Sequence, residues 1–381
     1  MDLILFMGHH KVGSSALQMF LARNWLPLAR AGILYPAVEP QGMAANLGAA
    51  VRAAGRGQGA AAAARTGARR APLRLNEREP HNALAFRMMH DDTGRHIPPW
   101  HPKLPHSNQM FRAIRTQVEA LSPLAVVLCS EVFANFGADH PALLARLAGV
   151  LPGARRVRIL CTLRRPDTYL VSWHSQRLKF GHKVPALRVD ALDTYWKGIH
   201  FDYRRMLEPW FEAFPDASFD IRDYAEVLSA GGSVADFATR AGLELPEGLE
   251  EVRSANPSVH PALMEVARRA NAELEEAPAR RLRDHLIQAG DKLTGHGARE
   301  IEMFGPDNRA RLAERFAPID AWLGEKTGRK GFFPDLAKVG RTAPVAELEA
   351  GRAALDALRR SRELRALPPD AREFVSTLAL D

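Results

Sequence analysis

The chain has 381 residues, with 52 Lys and Arg against 44 Asp and Glu, a formal net charge of +8. Hydrophobic residues make up 46% and charged residues 25%, enough for a sizeable core, which excludes wholesale disorder. No run approaches the ~18 apolar residues of a membrane helix, so no membrane span is expected.

Residues 2–7 (DLILFM) form a continuous apolar run that ends at Gly8, and a helical pattern begins at Ser14. Leu17, Phe20 and Leu21 fall on one helix face, so the segment reads as strand, turn, helix. The next helix reaches about Ala31, and Gly32 ends it before the short apolar segment ILYP. Residues 40–76 hold no acidic residue and include the low-complexity stretch RAAGRGQGAAAAARTGARR, which reads as a flexible insertion. Residues 80–108 add several Pro and His without clear periodicity.

Order resumes with a helix near Met110–Ala120 and the apolar run AVVLC at 125–129. A helix near 140–150 precedes RVRILCTL (156–163), and SFDIRDY (218–224) is a further, weaker strand. Apolar runs without alternation, spaced by helices, predict a parallel sheet covered on both faces. The C-terminal third carries amphipathic helical patterns near 261–276, 280–290 and 345–366. The expected organisation is one α/β domain over 1–340 with an insertion at about 40–105, followed by a helical tail over 341–381. Cys129 and Cys161 sit inside apolar runs and are expected as buried thiols. The N-terminal MDLILFMG lacks a basic region and a cleavage site, so a cytoplasmic protein is expected.

Of the 52 basic residues 43 are Arg, whose planar fork suits phosphate and sulfate groups. GHHKVGSS (8–15) lies where a strand hands over to a helix, a place that aims backbone N–H groups and the helix dipole at an anion. There Lys11 supplies a mobile charge, Gly13 admits close backbone approach, and Ser14 and Ser15 supply hydroxyl donors. Lys11 lies three residues before Ser14, whereas a Walker A loop needs Lys directly before Ser or Thr, which disfavours an ordinary NTPase. This segment resembles the 5′-phosphosulfate loop of sulfotransferases that use 3′-phosphoadenosine 5′-phosphosulfate (PAPS). Bacterial members look like HxGxHKTGTTxLQ followed by LxxxGxxYP. The matching residues are Gly8, His10, Lys11, Gly13, Ser14, Ser15, Leu17 and Gln18, then LARAGILYP at 28–36. Val12 replaces the usual Thr, and both hydroxyl residues are Ser.

The family's 3′-phosphate site is an Arg-x-Pro with a Ser eight residues after the Arg, and LRRPDTYLVSW supplies Arg164, Pro166 and Ser172. Weaker echoes are IRDYAEVL (221–228), with Ala225 where Glu is usual, and Asn256 and Ser258 in RSANPSVHP. GRKGFFPD (328–335) partly echoes a phosphate clamp, but Arg329 and Lys330 receive no role.

The resemblance implies a three-layer P-loop-like fold, with a central parallel sheet flanked by helices, and sulfuryl transfer from PAPS to a hydroxyl or amine. Lys11 would stabilise the bridging oxygen, Ser14, Ser15 and loop N–H groups the phosphosulfate, and Arg164 and Ser172 the 3′-phosphate. No metal is implied, and the sequence offers no clear metal-ligand cluster. Glu131, just past the 125–129 strand, is the first candidate for the base, or else a cap or ion-pair partner. His10 is second, with an orienting role as its alternative; His9 and His174 rank third, and the helix face carrying His174 is expected to be exposed. Acceptor contacts, with a carbohydrate as first guess, are expected in 76–108 around Trp100. The rivals are a kinase-like P-loop enzyme and a non-catalytic nucleotide- or anion-binding protein. Nucleic acid is not an expected partner, since the basic stretch lacks interleaved aromatic residues.

Overall fold

The computed structural model describes residues 1–55, 73–101, 103–252 and 258–381. They form two compact units: Met1–Arg164 with Arg204–Ser254, and Arg165–Tyr203 with Ala255–Asp381.

The first unit is an α/β structure around a five-stranded sheet. Its strands are β1 (Asp2–Gly8), β2 (Ile33–Leu34), β3 (Ala125–Cys129), β4 (Arg156–Leu163) and β5 (Ser218–Asp223), in the order β2-β3-β1-β4-β5. Every neighbouring pair is parallel. Leu3 to Gly8 and all of β3 are buried, which explains why these strands read as unbroken apolar runs and not as alternating ones. The chain leaves β1 towards β2 on one side, returns through β3, and crosses over β1 to reach β4. That reversal makes the carboxyl end of β1 a switch point, where an open α/β sheet leaves a crevice.

Register brings the interesting segments together. Phe6 pairs with Cys129 and Gly8 with Cys161, so the chain emerging from β1, β3 and β4 leaves the sheet side by side. The β1–β4 register shifts between Phe6 and Gly8, a bulge just below the loop. Helices Ser14–Arg23 and Ser233–Ala241 bury Leu17, Leu21 and Phe237 in the same core cluster as Ile4 and Phe6. Phe237 meets Phe6 edge to face at 6.4 Å. Arg240, on that second helix, is buried and ties β4 to β5: it donates to Thr162 Oγ1 at 3.0 Å, to the Cys161 carbonyl at 2.7 Å and to the Asp220 carbonyl, and it pairs with Asp236 at 3.1 Å.

The span read as an insertion is not irregular where it is described. Pro40–Gly55 and Pro80–Thr93 are helices, and in the latter Pro80 to Ala85 are all buried in succession, with Met88 and Met89. A helix buried around its circumference shows no 3.6-residue stripe, which is why its pattern is illegible. Most of the low-complexity stretch, residues 56–72, lies outside the described residues.

The second unit is mainly helical. Its helices include Pro166–Lys179, Met264–Glu273, Glu276–Leu293, Pro306–Thr327, Glu347–Arg360 and Pro369–Thr377, with a small parallel pair joining Ile301–Glu302 and Val345–Ala346. Tyr169, Tyr203 and Phe316 are buried together, Tyr203 meeting both of the others edge to face. Arg188 reaches both Glu265 at 3.2 Å and Glu347 at 2.6 Å, tying the last helices into this unit. Cys129 and Cys161 are free and buried, as the apolar runs around them require. No helix among the described residues is long and apolar enough to cross a membrane.

Candidate functional site

The loop between β1 and helix Ser14–Arg23 is built from left-handed residues. Gly8, Lys11 and Gly13 have φ of +94°, +62° and +84°. Lys11 is a β-carbon residue in a region that L residues avoid, at a cost of roughly 1–2 kcal/mol. Left-handed residues interspersed in a loop are one element of the backbone concavities that bind anions. Gly13 is the N-cap of the helix, and no side chain caps it. The loop is pinned at one end by the His9 N–H, which donates to the Thr162 carbonyl at 2.8 Å. Ser14 is buried and Ser15 half-buried at the helix start, with Lys11 half-buried inside the loop.

Both glycines are required by close approach as well as by conformation. A Cβ on Gly8 would lie 2.8 Å from the Glu131 Cα, so the loop rests directly on the start of the segment that follows β3. A Cβ on Gly13 would lie 2.2 Å from Ser233 Oγ and 3.8 Å from the Tyr224 hydroxyl. Ser233 Oγ itself donates to the Val12 carbonyl at 3.3 Å.

Tyr224 links the loop to the second motif. It opens a short helix after β5, capped by Asp223, whose Oδ1 accepts from the Ala225 N–H at 3.1 Å. The Arg164 guanidinium lies over its ring, 5.7 Å from the centroid, within cation–π range. Gly13, which precedes Ser14 and Ser15 in the chain, and Arg164 thus both lie against Tyr224 in the first unit. Arg165 has other work: it is held by Asp167, 2.7 Å away, and by Asp335. Ser172 belongs to the second unit and lies half-buried on helix Pro166–Lys179.

Glu131 opens a short 3-10 turn, Glu131–Phe133, whose N-cap is Ser130; the cap is therefore the serine and not the glutamate. Its carboxylate accepts from Gln18 Nε2 at 3.0 Å on one oxygen and from Asn82 Nδ2 at 3.2 Å on the other. Asn82 also donates to Glu79 at 3.2 Å. The Glu79 carboxyl sits above its ordinary pKa, chiefly because burial penalises the anion, with Glu131 adding to the effect.

His10 is held down to a pKa of about 4, by burial first and by Lys11 second. It is neutral at pH 7, and a group so weakly basic holds an abstracted proton poorly. Asn135 Nδ2 lies 3.5 Å from its Nε2. His9 is fully buried against His10, their ring centroids 5.6 Å apart. His174 is not on an exposed face: it is buried in the second unit, 3.1 Å from the Tyr195 hydroxyl, and burial drives its pKa to about 3.

The sequence assigns no role to Gln18, Asn82 or Ser233, and Tyr224 enters it only within the weaker echo IRDYAEVL. Gln18 stands within the loop motif, a signal that Asn82 and Ser233 lack. Asn82 follows no pattern, being one polar residue in a buried helix. Asn256 lies outside the described residues, and Ser258 is exposed in the second unit. Among the described residues no group of three or more His, Cys, Asp or Glu is arranged to hold a metal.

No family model matches the chain. It is similar to an uncharacterized protein of Archaeoglobus fulgidus, 30% identical over 196 residues, which cover 50% of this chain and 50% of that one. The chain thus spans about half the length of this relative. No solved structure matches it.

Proposed function

We propose that the chain is a PAPS-dependent sulfotransferase with a P-loop-like fold, acting on a hydroxyl or amine acceptor, with a carbohydrate as the first class to try. The observation that carries this reading is the meeting, at Tyr224, of the Lys-Val-Gly-Ser-Ser loop, left-handed at Lys11 and Gly13, with an arginine from the end of the neighbouring strand. The central position of β1 and the reversal of strand order at its carboxyl end support the P-loop-like fold.

The donor set suits a ligand with two anionic ends. Loop N–H groups, Ser14, Ser15 and the helix N-terminus favour one phosphate-like group, while the fork of Arg164 favours a second. PAPS, when bound, supplies the activated sulfuryl group. Lys11 stabilises negative charge as it develops on the bridging oxygen. Glu131 takes the acceptor's proton, and the serines and loop backbone hold the acidic groups in line, as sulfuryl transfer depends on positioning more than on covalent help. His10, weakly basic beside Lys11, shapes the loop.

Thermal unfolding with 3′,5′-adenosine bisphosphate, beside ATP, tests this. Ligand at 100 times its Kd adds about 2.7 kcal/mol of stability. Stabilisation by the bisphosphate that weakens in Lys11→Ala and disappears in Arg164→Ala, with little effect of ATP, is the expected result. Preference for ATP with Mg²⁺ points to the kinase-like reading. Stabilisation by any polyanion alike points to a non-catalytic anion binder, and no shift at saturating bisphosphate refutes the sulfotransferase.

A further inference from the structure

The polar cluster beneath the loop has a direction. The Val132 N–H donates to Ser130 Oγ at 3.1 Å, so the Ser130 hydroxyl hydrogen is left for Asn82 Oδ1, 2.6 Å away. With its oxygen committed as acceptor, Asn82 must turn its NH₂ to Glu131. Gln18 is fixed by the same reasoning. Its Nε2 faces three acceptors: Asn82 Oδ1 at 3.1 Å, the Cys129 carbonyl at 3.2 Å and Glu131 at 3.0 Å. Its Oε1 is buried with no hydrogen-bond partner among the described residues, yet a flip would set that oxygen against three others. Each oxygen of Glu131 therefore meets an N–H whose orientation is dictated from behind, and this arrangement matches a carboxylate, which only accepts, better than a carboxylic acid, which must donate.

We propose that Asn82, oriented by Ser130 and joined by Gln18, is a positioning residue that holds the Glu131 carboxylate as a fixed, ionised proton acceptor beside the phosphate loop. The proposal rests on the reading of Glu131 as the base. Gln18, Asn82 and Ser130 are 0%, 3% and 0% exposed, so the two amides act on Glu131 with little competition from water. The positive charge behind this cluster, Arg78, is paired with Glu79 at 2.6 Å. Glu79, bridged through Asn82, is acidic; burial pushes the Tyr35 hydroxyl and the Cys129 thiol well up, so both are neutral; His10 is neutral as well. Each oxygen keeps lone-pair capacity for an acceptor O–H or N–H.

The test is a ¹³C NMR titration of protein labelled at glutamate carboxyl carbons, with the Glu131 signal identified by its loss in Glu131→Gln. In Asn82→Ala the midpoint of that signal rises by at least about one pH unit, a tenfold gain in proton affinity. In Ser130→Ala it moves the same way by less. Asn82→Leu, nearly isosteric and without polar atoms, replaces Asn82→Ala if truncation prevents folding. Stabilisation by 3′,5′-adenosine bisphosphate stays as in the unsubstituted protein. A midpoint unchanged in a folded Asn82 variant overturns the proposal and leaves Asn82 a structural residue. Failure of the bisphosphate to stabilise even the unsubstituted protein refutes the sulfotransferase reading separately, whatever the NMR midpoint does.

Discussion

Gly13→Ala probes the loop at its tightest point, and its cost can be worked out in two parts. The residue keeps φ at +84°, which charges an alanine roughly 1–2 kcal/mol in left-handed strain. The new Cβ would lie 2.2 Å from Ser233 Oγ, but 3.5 Å from Ser233 Cβ, an ordinary contact. The hydroxyl therefore relieves the overlap by rotating away, and loses its 3.3 Å bond to the Val12 carbonyl, about 1 kcal/mol. Gly13→Ala then costs about 2–3 kcal/mol. Ser233→Ala alone costs about 1 kcal/mol, because it loses the same bond. The double variant costs no more than Gly13→Ala, since that bond can be lost only once, which gives a coupling energy of about 1 kcal/mol. Urea unfolding of the four proteins measures it, and bisphosphate titration follows the loop in parallel, with binding weakened in both Gly13→Ala proteins. Strict additivity, or a Gly13→Ala cost below about 0.5 kcal/mol, would refute the loop geometry argued above.

Other expectations concern pH. Burial raises the Glu347 carboxyl to about 7 from 4.5, against the pull of Arg188, so the folded chain keeps a proton that the unfolded chain has lost between those values. Stability on this account falls by about 3 kcal/mol as pH rises from 4.5 to 7, and Glu347→Gln should flatten that part of the Tm-against-pH curve. His174 has the opposite sign: neutral in the fold down to about pH 3, it contributes fully above 6.5 and loses up to about 4–5 kcal/mol as pH falls towards 3. His174→Gln, which retains a partner for Tyr195, should blunt acid unfolding; an unchanged acid limb would count against its burial as a neutral ring.

The parallel sheet and the strand-to-helix loop at 8–15 were legible because their determinants are contiguous. Five buried residues in a row at 125–129 and a Gly-x-x-Lys-x-Gly-Ser-Ser turn at 8–15 declare themselves to a reader who sees only neighbours along the chain. The helix Pro80–Thr93 did not, because burial on all sides erases the periodicity by which helices are found.

Sequence by itself determined the α/β class, the positions of β1, β3, β4 and β5, the loop with Lys11, Gly13, Ser14 and Ser15, and the buried state of both cysteines. Tertiary structure alone decided what surrounds them. Arg164 lies over Tyr224 while Arg165 is taken by carboxylates, and nothing in the string RRP tells the two apart. Glu131 is gripped by Gln18, 113 residues away in the chain, and by Asn82, 49 residues away. Local propensity carries no record of such pairings. They arise when strands of a parallel sheet align their carboxyl ends and bring residues remote in the chain within hydrogen-bond reach.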